Sequence, residues 1–115
     1  MIANRRNVLA GAGGLAALGL FGIPTQAAQL GAIGLQLYTI REIFQPDPMG
    51  TLEKVAKIGY REIEYGGGGY DKMDHAALRR TQDRLGLKAP SIHVPYEWLL
   101  ADFNAGVKMA KTLGA

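Results

Sequence analysis

The chain of 115 residues contains no cysteine. Disulfide frameworks, thiolate zinc sites and cysteine nucleophiles are therefore excluded. Histidine is nearly as scarce, at two residues, and tryptophan occurs once. Charged residues make up only 20% of the chain against 48% hydrophobic ones, the balance of a folding chain and not of a disordered one. The 16 glycines follow no three-residue period, which removes a collagen-like fibre. A single long apolar run is present, Val8–Ile23, and it stands at the N-terminus.

That run explains the net charge. Arg5 and Arg6 precede it, Pro24, Thr25 and Gln26 break it, and Ala27 and Ala28 supply small residues for cleavage. Basic end, apolar middle and small-residue site are the three parts of a secretory signal peptide, here residues 1–28. A membrane anchor is the weaker reading. The run has 16 residues, five of them glycine, where a span needs roughly 20 apolar ones. Asn4-Arg5-Arg6-Asn7-Val8-Leu9 further resembles a twin-arginine export signal. The resemblance implies the twin-arginine export machinery as a partner and a periplasmic or secreted location, with no stable membrane span. Cleavage would remove two of 13 basic residues against 10 acidic ones, so the charge falls from +3 to +1. Basic and acidic residues alternate through the remainder, which argues against a nucleic-acid partner.

Three stretches of the mature chain, residues 29–115, close alike: Ile58-Gly59-Tyr60, Leu85-Gly86-Leu87 and Leu113-Gly114-Ala115, with the glycines 27 and 28 residues apart. Each glycine follows an apolar helical pattern, where a left-handed residue closes a helix without side-chain cost. Ile33–Thr39 alternates as a strand, with Leu35 and Leu37 on one face and Gln36 and Tyr38 on the other. Asp47-Pro48 opens a helix through Ile58 whose buried stripe is Leu52, Val55, Ala56 and Ile58. Tyr60–Tyr65 reads as a second strand. Asp74 caps a helix with Ala77, Leu78 and Leu85 inward, Ala89–Val94 as a third strand follows, and Asp102 caps a helix with Phe103, Val107, Ala110 and Leu113 inward.

The order β-α-β-α-β-α implies parallel strands and an α/β fold. An eight-fold α/β barrel and a doubly wound open sheet both continue it. The open dinucleotide-binding sheet would want Gly-x-Gly-x-x-Gly after the first strand, yet Thr39–Pro46 holds no glycine, so the barrel is preferred. Barrel sites stand at the C-terminal strand ends. Hydrophobicity turns Leu35, Leu37, Ile63, Tyr65, Ile92 and Val94 toward the helices, which leaves Gln36, Tyr38, Glu62, Glu64, Ser91 and His93 facing the barrel interior. The last polar residues of each strand are Tyr38, Glu64 and His93. Register pairing would set Glu64 and His93 about 4.8 Å apart, as an acid/base pair or as two contacts to one polar substrate. Structural roles compete with these: an ion pair for Glu64, a satisfied core imidazole for His93, packing for Tyr38. Gly66–Gly69 reads as a flexible loop bordering the site. Tyr96 and Trp98 would wall an apolar part of it or cover a neighbouring loop.

Ile33-Gly34-Leu35-Gln36-Leu37-Tyr38-Thr39-Ile40-Arg41, Gly59-Tyr60-Arg61-Glu62-Ile63-Glu64 and Leu85-Gly86-Leu87-Lys88 leading to Ser91-Ile92-His93 resemble the opening of the sugar phosphate isomerase/epimerase family. Its members are xylose isomerase-like (β/α)8 TIM barrels. The resemblance implies that this chain carries the N-terminal three βα units of such a barrel, incomplete as it stands and inactive by itself. It implies a small-molecule carbohydrate as substrate, with Glu64 and His93 near it as the catalytic candidates, while Tyr38 and Trp98, from their places at and beyond the strand ends, are the candidate substrate-binding residues. It also implies a divalent cation, Mn, Mg or Zn, whose main ligands belong to strands beyond residue 115, and proton transfer beside a sugar carbonyl. An exported sugar-binding protein that kept the barrel without the chemistry is the alternative. The superfamily's zinc-dependent endonucleases fit poorly, given two histidines and a mature charge of +1.

Overall fold

The computed structural model describes residues 31–115, and the leader reading falls outside them. Three short strands, β1 (Gly34–Gln36), β2 (Glu62–Tyr65) and β3 (Lys88–Ile92), form one sheet in the order β1-β2-β3, and both pairs are parallel. Helices α1 (Arg41–Phe44) and α2 (Pro48–Ile58) follow β1, α3 (His75–Leu85) follows β2, and α4 (Tyr96–Ala101) and α5 (Phe103–Leu113) follow β3. The architecture is α/β.

The three long helices are built by one device. The side chains of Asp47, Asp74 and Asp102 each accept a hydrogen bond from the N–H three residues on, at 3.0, 2.9 and 2.9 Å. Each thereby satisfies one of the amides that a helix start leaves without a partner. At the other ends Gly59, Gly86 and Gly114 take φ of 121°, 68° and 93°, the range that favours glycine.

One face of the sheet is sealed by the helices. Leu37, Phe44, Leu52, Ile63, Tyr65, Leu78 and Leu113 are buried there. The Tyr65 hydroxyl donates to Gln82 Oε1 at 2.9 Å, and Gln82 Nε2 donates to the Leu113 carbonyl at 3.2 Å. A single amide thus ties β2, α3 and the end of α5 inside the core, and no buried side-chain polar atom among the described residues lacks a partner.

Four local expectations change. The first strand ends at Gln36, and Leu37–Ile40 coils into a 3-10 turn steadied by Arg41, whose Nη1 donates to the Tyr38 carbonyl at 2.9 Å. Residues 96–101, where the sequence pattern marks no element, form α4. Ile58 is 75% exposed, because the last turn of α2 reaches past the core toward Ile33 and Tyr60. Phe103 is 64% exposed and α5 instead buries Gly106, Met109 and Leu113. A Cβ on Gly106 would fall 2.8 Å from Leu99 Cδ2 and 3.5 Å from Trp98 Cζ3, so α5 meets the side chains of α4 closely at this glycine.

Candidate functional site

The other face of the sheet carries polar side chains. Register pairs Gly34 with Glu62 and Lys88, and Gln36 with Glu64 and Ser91. The alternation predicted from hydrophobicity is therefore present: Ile63 and Tyr65 are buried on the helix side, while Glu62 and Glu64 are half-buried on the other. Along β3 the alternation changes phase. Leu87 and Ala89 are buried toward the helices, but so are Ile92 and Val94 in part, which requires one extra residue between. The ladder shows it: three residues of β2, Glu62 to Glu64, face four of β3, Lys88 to Ser91. Pro90 lies within this bulge, where a missing N–H costs the ladder nothing.

Beyond the bulge, the His93 N–H donates to the Tyr65 carbonyl at 2.7 Å, which sets His93 one row beyond Glu64. The expected pairing of Glu64 with His93 is thereby corrected. Glu64 stands opposite Ser91 and, on its other side, accepts from Gln36 Nε2 at 3.3 Å. Pairing is set between strands: Ser91 and not His93 stands opposite Glu64, a register that the strand pattern alone does not reveal.

A cavity of about 380 Å³ opens at the C-terminal ends of the strands, lined by Gln36, Tyr38, Gly66, Tyr70, Asp71 and His93 with Gly67 and Pro95. Tyr38 and His93 are brought together here. Glu64 is adjacent through Gln36 but does not line the cavity, and neither does Trp98. Trp98 leans on the core and on Gly106, because α4 carries it away from the strand ends. Tyr38 is half-exposed, with the Arg41 guanidinium 4.4 Å from its ring centroid.

The segment after β2 is shaped and not merely loose. Gly67, Gly68 and Gly69 all have φ between 64° and 72°. A Cβ on Gly67 would also fall 2.7 Å from Tyr38 Cδ2, so glycine is needed there twice over. Tyr70 follows, stacked on Tyr65 with centroids 5.4 Å apart, and its hydroxyl donates to the His93 carbonyl at 2.8 Å. His75 Nε2 lies 3.0 Å from the Tyr70 carbonyl. Burial, with smaller contributions from the negative Asp71 and Glu64, pushes the Tyr70 hydroxyl up to about 12.

Tyr70 and Asp71 were not among the residues that sequence reasoning selected for the site. The signal was the glycine run itself, which leads them back over the end of β3. Among the described residues no three His, Asp or Glu side chains converge on a point where a metal could bind. No family model matches the chain, and no curated protein or solved structure matches it either.

Proposed function

We propose that the cavity binds a small carbohydrate, and that the chain is the opening of a sugar isomerase/epimerase-like α/β barrel exported through its leader. One observation carries the reading: a cavity at the C-terminal strand ends joins an exposed aromatic ring, Tyr38, to the short polar groups of Gln36, Asp71 and His93. Sugars present apolar C–H faces and rows of hydroxyls. An aromatic ring packs against the former, while amide, carboxylate and imidazole satisfy the latter. His93 lines the cavity with ring nitrogens that can donate or accept a hydrogen bond, and Glu64 holds the Gln36 amide that faces the ligand. The divalent cation of the resembled family would need ligands other than those described, so no step is routed through one.

The test is titration of the isotopically labelled chain with D-xylose. Shifts confined to Gln36, Tyr38, Tyr70, Asp71 and His93 support the reading, and shifts elsewhere or none overturn it. Binding without chemistry is the second reading, favoured by the separation of Glu64 from His93 by one row of the sheet. Export rests on Arg5 and Arg6: replacing both by lysine is expected to strand a fused reporter in the cytoplasm.

A further inference from the structure

Three inward positions meet at the mouth of the cavity: Tyr38, Gly66 and His93. Position 66 continues the inward parity of Glu62 and Glu64. A Cβ on Gly66 would stand 3.4 Å from His93 Cβ, 3.6 Å from Tyr38 Cβ and 4.0 Å from Gln36 Cγ. All three neighbours line the cavity, so any side chain at 66 projects between its walls. Gly66 is also unlike the three glycines after it. It is absent from the positive-φ residues, and its added Cβ makes contacts of ordinary van der Waals length, so neither backbone nor packing demands glycine.

We propose that Gly66 is the specificity-determining residue of this cavity: its missing side chain is the space the ligand occupies. The inference rests on the carbohydrate reading only for the kind of ligand and not for the geometry. Substituents at 66 set the largest ligand admitted. A methyl trims the space beside His93, and a leucine fills most of what separates the Tyr38 and His93 side chains.

The experiment uses the full chain with Gly66→Ala and Gly66→Leu, and two readouts. The first needs no ligand: melting temperature together with nuclear Overhauser contacts from the introduced methyl groups. The expected result is a Tm within about 3 °C of the parent, with leucine methyls contacting both His93 and Tyr38. Methyls that contact neither ring, or a chain that no longer melts cooperatively even with alanine, overturn the proposal. The second readout is affinity for glycerol and D-xylose. Expected is a loss for D-xylose of at least about tenfold with leucine, a smaller loss with alanine, and less change for glycerol, since roughly 1.4 kcal/mol per tenfold is within reach of one or two occluded groups. Equal loss for both probes overturns size selection. If neither probe binds the parent, the carbohydrate reading falls, and the methyl contacts still decide whether position 66 fills the cavity.

Discussion

The two faces of the sheet are made from alternate residues of the same strands, yet they obey different rules. On the helix side, Ile63, Tyr65, Leu37 and Ala89 are enclosed, and every polar atom admitted there is matched, as Gln82 matches the Tyr65 hydroxyl and the Leu113 carbonyl. On the open side, Gln36, Glu62, Glu64, Ser91 and His93 keep contact with solvent, and of these only Gln36 and Glu64 are joined by a side-chain hydrogen bond among the described residues. The first face has its interactions within the chain. The second leaves hydrogen-bonding capacity unused, which is what a binding surface requires and a core cannot tolerate.

The strongest way to break this contrast is Tyr65→Ala. It deletes an aromatic ring packed on Phe44 and Tyr70 and is expected to cost about 3–5 kcal/mol in denaturant unfolding. An open-face substitution of equal effect would refute the division. Next is Gln82→Ala, which leaves the Tyr65 hydroxyl and the Leu113 carbonyl without partners in the core. The expected loss is about 1–3 kcal/mol for each group, again by denaturant unfolding.

Alkaline pH sharpens the comparison from another side. Burial raises the Tyr65 hydroxyl, and burial, Asp71 and Glu64 raise Tyr70 from its ordinary value of 10.0 to about 12. Unfolded tyrosines release their protons near the ordinary value while the folded ones hold them. Stability is therefore complete below about pH 10 and falls as pH rises toward 12. Tyr70→Phe should make that fall shallower, and Glu64→Gln should shift Tyr70 titration downward, which absorbance near 295 nm would follow. The smallest effect is expected for the stability of Glu64→Gln itself at neutral pH, within about 0.5 kcal/mol. The same variant is expected to weaken D-xylose binding through Gln36. A large stability loss without a binding change would reverse the assignment of the open face.

Much of this is legible in the sequence. Asp47, Asp74 and Asp102 announce helix starts because a carboxylate next to an apolar helical stripe has one local use, and Gly59, Gly86 and Gly114 announce the ends for the same local reason. Tyr38 and His93 were legible as residues of the open face because a polar residue alternating with core residues must face away from the core. Other features stayed hidden because each depends on a second segment. The exposure of Phe103 depends on how α5 packs, burying Gly106, Met109 and Leu113 instead, the place of Trp98 on the course of α4, and the separation of Glu64 from His93 on the register between β2 and β3.

By itself the sequence determined an α/β chain with parallel strands, the boundaries of its three long helices and the polar identity of one sheet face, since capping, turn closure and side-chain alternation are decided within a few residues. Only the tertiary structure decided which polar residues meet. Register is a relation between strands: it sets Ser91 opposite Glu64 and His93 one row further, beside Gly66 and Tyr38. There the absence of a side chain leaves room for something else to bind.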